Sequence, residues 1–179
     1  MSMEDSFGVE RRASHVRLLL MDCDGVLTDG KIWILENNDD QKTFNTRDGL
    51  GLGLWHRAGL KSGIISGRSS SAVERRAQAL GIEYVCQGST DKTKAFEEIL
   101  AKAGIDEAEV AFIGDDLTDI PVMRRSEFAV AVADAVPETR ARAHYVTQAR
   151  GGDGAVREAV EVILKAQGRW NDLVAKYLK

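Results

Sequence analysis

Short apolar runs alternate with longer amphipathic segments along much of the chain, from residue 48 to residue 132. Runs of this length, bounded by glycine and polar residues, predict buried strands, and the segments between them have helical periodicity. The pattern predicts helices at 48–58, 69–80, 91–103 and 117–124, and strands at 61–65, 82–86, 109–113 and 127–132. Strands that alternate with helices form a parallel sheet covered on both faces, so we predict an α/β, doubly wound (Rossmann-like), mostly parallel sheet.

The pattern continues on both sides of this regular part. The apolar run from Val16 to Met21 predicts a first buried strand. A short strand near 144–146 and a helix over 155–167 complete the series. Residues 1–14 are polar and lack a period, and we expect a mobile or loosely docked leader there. The tail from residue 168 to residue 179 carries apolar side chains that include Trp170, Leu173, Tyr177 and Leu178, so it either extends the last helix or docks elsewhere.

Residues 31–45 interrupt the alternation soon after the first strand. We predict an inserted β-hairpin with strands at 31–35 and 41–45, joined by the turn-rich residues 36–40. A two-stranded element of this kind is marginal alone and needs a surface to pack against. A subunit partner is the expected surface because the hairpin carries large apolar side chains, among them Trp33, Ile34, Leu35 and Phe44.

The composition narrows the class of protein. At 179 residues and 44% hydrophobic content, the chain fits one globular domain with a sizeable core. The net charge is -4 and the basic residues are scattered, which argues against a nucleic-acid partner. No apolar run approaches the roughly 20 residues that span a bilayer, so we expect no membrane partner. Cys23 and Cys86 fit neither a metal motif nor a disulfide framework, which favours a reducing, cytoplasmic location.

Two acidic residues, Asp22 and Asp24, follow the first strand directly. Carboxylates at the end of a buried strand are costly unless they bind a cation or take part in chemistry. The alternative is a polar loop in which one of the two caps a nearby helix. The pair alone does not decide between these interpretations.

Later strands of the predicted sheet also end in polar side chains. Ligands of an open α/β sheet bind beyond the carboxyl ends of its strands, so these side chains should meet. They comprise a hydroxyl, two cations and three further acids: Ser66, Arg68, Lys92, Asp115, Asp116 and Asp119. Such a set suits phosphoryl transfer, in which a carboxylate attacks phosphorus and nearby donors stabilise the developing charge.

Each acid receives a role in this hypothesis. Asp22 is the candidate nucleophile because it leaves the strand first. Asp24 can protonate the leaving oxygen and later deprotonate the attacking water. Mg²⁺ is the expected cofactor, since a hard cation relieves the crowding of carboxylates, and its predicted ligands are Asp22, Asp24 and Asp115. Asp116 and Asp119 are outer-shell or additional ligands, although Asp119 could simply stabilise the first turn of a helix.

Three groups should donate hydrogen bonds to the phosphoryl oxygens: the Ser66 hydroxyl, the Gly67 amide and the Lys92 ammonium. Ser66 has an alternative role as the cap of the helix that begins near Ser69. Lys92 has an alternative as half of a solvated ion pair with an acidic residue one turn later. We prefer Lys92 to Lys94 because it lies nearer the strand end.

These residues resemble a known family. Asp22-Cys23-Asp24-Gly25-Val26, Ser66, Lys92, and Gly114-Asp115-Asp116 with Asp119 are similar to the ordered motifs of the haloacid dehalogenase superfamily, in which phosphatases dominate. Within it, the chain resembles the 3-deoxy-D-manno-octulosonate 8-phosphate (KDO 8-phosphate) phosphatases over about residues 14–167. The segments that carry this closer resemblance are 25–30, the hairpin, 45–49, 65–68, 87–88, 130–135 and 154–158.

The resemblance implies a Mg²⁺-dependent phosphatase that acts on KDO 8-phosphate, a small phosphorylated sugar acid, in lipopolysaccharide precursor synthesis. It implies a homotetramer without a cap domain, in which the inserted hairpins form a central barrel and neighbouring subunits help to cover each site. Arg47 and Arg68 are the remaining cations for the carboxylate or phosphate of the substrate. Asp153 stands where the family often has a basic residue, which leaves substrate identity and the docking of the tail open.

Three alternatives stay open on the sequence. The first is a phosphatase for a nine-carbon 2-keto-3-deoxy sugar acid phosphate, or the related module found beside sialic-acid activating enzymes. The second is a receiver-type signalling domain, which fits poorly because there the acidic pair and the phosphoacceptor lie on different strands. The third is an inactive structural subunit, which the competent side chains at every motif position do not favour.

Overall fold

The computed structural model describes residues 3–34 and 40–179 of the protein. Its strands are β1 (Leu18–Met21), β2 (Trp33–Ile34), β3 (Asp40–Gln41), β4 (Lys61–Ile65), β5 (Tyr84–Cys86), β6 (Val110–Gly114), β7 (Phe128–Ala131) and β8 (Tyr145–Val146). Its α-helices are α1 (Met3–Ser14), α2 (Thr46–Arg57), α3 (Ser71–Leu80), α4 (Lys92–Ala103), α5 (Ile120–Met123), α6 (Pro137–Arg140), α7 (Ala155–Ala166) and α8 (Trp170–Val174). Short 3-10 helices lie at Glu107–Glu109, Leu117–Asp119 and Ala175–Tyr177.

Six strands form one parallel sheet in the order β5-β4-β1-β6-β7-β8. β1 lies inside the sheet, with β4 on one side and β6 on the other. The chain first builds outward through β4 and β5 and then returns to build β6, β7 and β8 on the opposite side of β1. The strand order therefore reverses at β1, which is where open α/β sheets bind ligands. The predicted doubly wound fold is confirmed.

The central strands are continuous apolar runs in the sequence because they are buried on both faces of the sheet. Every residue of β1, β6 and β7 is buried, as expected of parallel strands covered on both faces. Helices α1 and α2 each pack against α7, and α4 packs against α5. The largest fully buried side chains come from helices and strands alike: Trp55, Phe96, Phe112 and Phe128.

The N-terminal segment differs from its prediction. Residues 3–14 form helix α1, which packs against α7, so the expected mobile or loosely docked leader was wrong for these residues. Val9 and Ala13, one helical turn apart, are buried. Among residues 7–14, whose burial the structure describes, these two buried apolar side chains are too few to produce a recognisable helical period in the sequence.

The inserted hairpin is present and shorter than predicted. β2 and β3 contain two residues each and pair antiparallel, with Trp33 opposite Gln41. Leu35 and the turn at 36–39 lie outside the described residues. Ile32 and Trp33 are exposed. In the part of the chain that the structure describes, this hairpin and not a cap domain connects β1 to α2.

The remaining elements follow the prediction with local changes. The helix expected at 117–124 divides into a 3-10 turn and α5, with Pro121 near the start of α5. Helix α6 was not predicted. The tail forms α8 and a 3-10 turn, and it docks on α7 where the Arg157 guanidinium lies 5.1 Å from the centre of the Trp170 ring. Of the helices in the described ranges, none has the length and apolar content needed to cross a bilayer.

Candidate active site

The turn after β1 fixes the first two acids. The Asp22 amide donates to the Ile113 carbonyl at 3.0 Å, so the β1–β6 ladder extends one residue beyond β1. The Cys23 carbonyl then accepts hydrogen bonds from three successive amides, those of Val26, Leu27 and Thr28. This turn ends the strand at once and leaves Asp22 and Asp24 at the carboxyl edge of the sheet.

Gly25 allows Asp115 to approach this turn. Its φ is +91°, and a Cβ at Gly25 would lie 2.1 Å from Asp115 Oδ2. Gly151 approaches the same turn from the other side, where a Cβ would lie 1.7 Å from the Gly25 carbonyl oxygen. A side chain at either position would displace backbone or a functional carboxylate, so both positions require glycine.

Lys92 joins two of the acids. It is the first residue of α4, and its buried Nζ lies 2.7 Å from Asp119 Oδ1 and 3.0 Å from Asp22 Oδ2. Burial disfavours the Lys92 ammonium, but the charges of Asp119 and Asp22 outweigh burial and raise its pKa. Lys92 is therefore a charged donor directed at the nucleophile candidate. Lys94 is exposed, so the preference for Lys92 agrees with the geometry.

Asp119 has a structural role at this edge. It is fully buried, and its Oδ2 accepts hydrogen bonds from the Asp115 and Asp116 amides at 2.9 and 3.2 Å. Its Oδ1 accepts from Lys92. Asp116 is exposed, and its carboxylate caps the 3-10 turn through the Leu117 amide at 2.7 Å. Asp119 thus holds the loop that carries Asp115.

Asp22, Asp115 and Asp119 form an acidic cluster in which one oxygen of each lies within 4.8 Å of the others. Burial, followed by the charge of Asp119, raises the pKa of Asp22 to about 6, although Lys92 opposes the shift. Burial, followed by the charges of Asp119 and Asp22, raises the pKa of Asp115 to about 8. The cluster carries more negative charge than Lys92 balances.

This cluster fits a hard divalent cation. Asp115 Oδ1 is buried and has no hydrogen-bond donor among the described residues. A cation beside it would satisfy this oxygen and relieve the repulsion between Asp115 and Asp22. Asp119 already accepts three hydrogen bonds, so it supports the ligands better than it serves as one.

The Asp24 side chain lies outside that cluster, and Asp24 as a metal ligand stays a prediction. Its Oδ1 instead accepts a hydrogen bond from the buried Lys42 ammonium. Arg68 Nε lies 3.9 Å from Asp24 Oδ2. Asp24 is therefore held by cations from two other segments, at a distance from the acids that suit a cation.

A cavity of about 590 Å³ opens above these groups. This volume suits a small ligand such as a sugar phosphate. Ser66 is buried, and its hydroxyl oxygen accepts a hydrogen bond from the Arg68 amide at 3.3 Å. Ser66 does not cap α3, because the N-cap residue of that helix is Ser70. The predicted residues that line the cavity are Asp22, Asp24, Ser66, Gly67, Arg68, Lys92, Asp115 and Asp116.

Arg47 does not line this cavity. Its Nη2 lies 2.6 Å from Asp153 Oδ1 and 3.1 Å from the Asp153 carbonyl oxygen. Asn45 also donates to Asp153, at 3.1 Å. Asp153, the acid that replaces a basic residue in the glycine-rich loop (residues 151–154), therefore pairs with Arg47. The contact of Arg47 with substrate stays a prediction.

Lys42, which bonds Asp24, is a residue of this site that the sequence did not identify. It lies directly after β3, and its side chain is 1% exposed. A signal was available, because Lys42 and Phe44 are two residues apart and share a face of an extended segment. A lysine on the same face as an apolar residue indicates a buried charge that needs a partner.

Comparisons with known proteins agree with this geometry. Residues 82–158 match the family described as haloacid dehalogenase-like hydrolase. The 3-deoxy-D-manno-octulosonate 8-phosphate phosphatase KdsC of Escherichia coli is 44% identical over 167 residues, which cover 93% of this chain and 89% of that protein.

Solved structures are similar over nearly the whole chain. The 3-deoxy-D-manno-octulosonate 8-phosphate phosphatase of Moraxella catarrhalis, solved with magnesium ion, phosphate ion and KDO, has a TM-score of 0.93 and 40% identity, covering 98% of this chain and 99% of that chain. A probable YrbI family phosphatase of Pseudomonas syringae has a TM-score of 0.94 and 43% identity, covering 97% of this chain and 98% of that chain.

Proposed function

The chain belongs to the 3-deoxy-D-manno-octulosonate 8-phosphate phosphatase family of haloacid dehalogenase-like hydrolases, and we propose from this premise that it releases phosphate from KDO 8-phosphate. It is a phosphatase. The observation that supports this substrate is the cavity lined by Asp22, Asp24, Ser66, Lys92 and Asp115. The fold is shared with a relative solved with phosphate and KDO.

In the first step, an Asp22 carboxylate oxygen attacks phosphorus and the bond between phosphorus and the sugar oxygen breaks. Asp24 gives its proton to that sugar oxygen, so the sugar acid leaves as an alcohol. The phosphoryl group is now an acyl phosphate on Asp22. Lys92, 3.0 Å from Asp22 Oδ2, balances the charge of this carboxylate and donates to the phosphoryl oxygens.

In the second step, Asp24 takes a proton from water as that water attacks phosphorus. The bond between phosphorus and the Asp22 oxygen breaks, and inorganic phosphate leaves with Asp22 restored as a carboxylate. The Ser66 hydroxyl and the Gly67 amide, which both line the cavity, are the further donors to the phosphoryl oxygens.

Mg²⁺ would be held by Asp22 and Asp115, with Asp119 supporting them, and it supplies charge neutralisation of the phosphate. The relative solved with magnesium ion supports this choice of metal. The buried Asp115 oxygen and the repulsion within the cluster support a cation at this position.

Phosphate release tests this proposal. We expect Mg²⁺-dependent hydrolysis of KDO 8-phosphate that EDTA abolishes, and an Asp22→Asn variant that is inactive because an amide cannot form the acyl phosphate. Asp172→Asn, on the exposed side of α8, is the control and should keep full activity. Wild-type activity in Asp22→Asn would contradict the nucleophile. A clear preference for a nine-carbon 2-keto-3-deoxy sugar acid phosphate would favour the alternative substrate.

We also propose that the protein assembles as a homotetramer through its hairpin. The support is the exposure of Ile32 and Trp33, whose side chains are 40% and 64% exposed on a two-stranded element that is marginal alone. Large apolar side chains at this exposure are typical of a protein interface.

A further inference from the structure

The hairpin delivers one buried charge to the active site. We propose that Lys42 is a positioning residue that holds the Asp24 carboxylate by its Oδ1 at the edge of the cavity, where Asp24 serves the leaving group. This inference rests on the proposed function, because it assigns a purpose to Lys42 within the proton transfer by Asp24. It adds a residue outside the ordered motifs of the superfamily to the machinery of the reaction.

The burial of Lys42 supports a specific purpose. Its side chain is 1% exposed, whereas Lys31 on the same insertion is 74% exposed and pairs with Asp29 at the surface. Burying an ammonium costs several kcal/mol unless a partner compensates, so chains rarely place lysine there without a reason. The Asp24 carboxylate is such a partner, and the contact joins β3 to the turn after β1.

The two Asp24 oxygens have different surroundings. Oδ1 accepts the hydrogen bond from Lys42. Oδ2 is buried and, within residues 3–34 and 40–179, has no hydrogen-bond donor, since Arg68 Nε stands 3.9 Å away. Asp24 lines the cavity, and its side chain is 18% exposed. The hydrogen bond from Lys42 to Oδ1 therefore fixes the rotation of a carboxylate that borders the ligand.

Lys42 is a different residue from Lys92, the lysine that pairs with the nucleophile. Lys92 bonds Asp22 and Asp119, whereas Lys42 bonds Asp24. Each of the two reacting carboxylates therefore has its own buried lysine. Loss of Lys42 should leave the nucleophile in place and allow Asp24 to rotate away from the leaving group.

The experiment compares two esters that differ in their need for an acid. KDO 8-phosphate has an alkoxide leaving group that requires protonation, whereas para-nitrophenyl phosphate has a leaving group that departs without it. The comparison is made on the first step, phosphoryl transfer to Asp22 in a single turnover, because the second step needs Asp24 as a base for both esters. We expect Lys42→Met to lower the rate of this transfer from KDO 8-phosphate by about 100-fold, the low end of what a positioned acid contributes. The rate of transfer from the aryl ester should stay within about threefold, because the acid contributes little there.

Three matched variants complete the design. Lys31→Met removes an exposed lysine from the same insertion and should leave both activities unchanged. Lys42→Arg keeps a cation and should recover at least part of the loss on the sugar phosphate. In an Asp24→Asn background, adding Lys42→Met should cause no further loss on the sugar phosphate, because two residues that act together are not additive.

Equal losses in the first step with both esters, or additive losses with Asp24→Asn, would overturn the inference and leave Lys42 with a structural role. A retained rate of phosphoryl transfer from the aryl ester reports that Lys42→Met is folded. Were Lys42→Met unable to fold, Lys42→Gln, which keeps a polar side chain at this position, would carry the same comparison of esters. Failure of the proposed function would be distinct, since wild-type protein would then not hydrolyse KDO 8-phosphate, whatever its activity on the aryl ester. Even so, a crystal structure of Lys42→Met with Asp24 in its original orientation would count against positioning.

Discussion

At the scale of single residues, Asp119 shows how a carboxylate can organise a site without entering the reaction. It is fully buried, and its two oxygens accept three hydrogen bonds from Lys92 and from the Asp115 and Asp116 amides. All of these partners are donors. The geometry therefore requires a group that accepts at both oxygens, which only an ionised carboxylate does.

Asp119→Asn should destabilise the protein by about 3 kcal/mol, since the amide NH₂ would face a donor in either orientation and Lys92 would lose a charged partner. The free energy of unfolding from urea titration measures this effect. Asp116→Asn is the matched control, because Asp116 is exposed and asparagine caps a helical turn as well as aspartate does. A similar loss in both variants would contradict the structural role of Asp119.

The raised pKa values of Asp22 and Asp115, about 6 and about 8, predict a pH-dependent metal affinity. Both lie above the ordinary value of 3.8, so the metal-free folded protein binds more protons than the unfolded chain. Its stability should therefore fall as pH rises through about 6 and about 8. Mg²⁺ reverses this, because it requires both carboxylates ionised and displaces their protons.

Isothermal titration calorimetry of Mg²⁺ in two buffers with different ionisation enthalpies should detect proton release, with affinity that rises between pH 6 and pH 8. Thermal unfolding with and without Mg²⁺ gives the stability difference. An affinity that is constant across this range would show that the two acids are already ionised in the metal-free protein.

The sequence identified most of the site residues because they follow strands whose ends must meet in a parallel sheet. It could not separate the Asp24 side chain from the metal cluster, since the direction of a side chain depends on the turn after β1 and on Lys42. Lys42 itself was missed because its partner lies on a different element. The pairing of Arg47 with Asp153 depends likewise on a contact between distant segments.

At the scale of elements, the first turn of α2 supports the start of α7. Asp48 is buried, and its carboxylate accepts from the Gly154 amide at 3.2 Å and from the Arg157 amide at 2.8 Å. Burial raises the pKa of Asp48, although these amide hydrogen bonds oppose the shift. The cap of α7 is thus supplied by another helix, and it also fixes the glycine-rich loop against the turn after β1.

Asp48→Ala should lower the free energy of unfolding by about 2 kcal/mol, the upper range for loss of a helix cap, because two buried amides lose their acceptor. Chemical denaturation measures the change. Asp172→Ala, in the exposed first turn of α8, is the control and should cost less than about 0.5 kcal/mol. Equal stability of Asp48→Ala and wild type would mean that water replaces the cap.

The strands and long helices were predictable because their apolar periods extend over many residues. Helix α1 was not, since residues 7–14, the part of this helix whose burial is described, contribute two small side chains to the core, Val9 and Ala13. Helix α6 has four residues, too few to show a period. The hairpin strands are shorter than their apolar pattern. Trp33 is exposed, so it contributes little packing within the described chain to stabilise a longer strand.

At the scale of the whole molecule, the exposed hairpin predicts how assembly can be broken. Trp33→Lys places a charge in the proposed interface and should reduce the mass measured by light scattering from four chains to fewer. Phe7→Lys is the control, since Phe7 is 72% exposed on α1, away from the hairpin. An unchanged mass for Trp33→Lys would exclude the hairpin as the contact that holds the subunits together.

The position of β1 between β4 and β6 has a further consequence for amide hydrogen exchange. Strands paired on both sides exchange through global unfolding, whereas a hairpin with two-residue strands, in a subunit without its partners, exchanges through local opening. Asp22 therefore follows the slowest-exchanging part of the protein, while the exchange of β2 and β3, which precede Lys42, should slow when the proposed subunit contact forms. Assembly would then stabilise the segment that holds Asp24 and leave the nucleophile unaffected, so turnover would report on an element that contains no reacting atom.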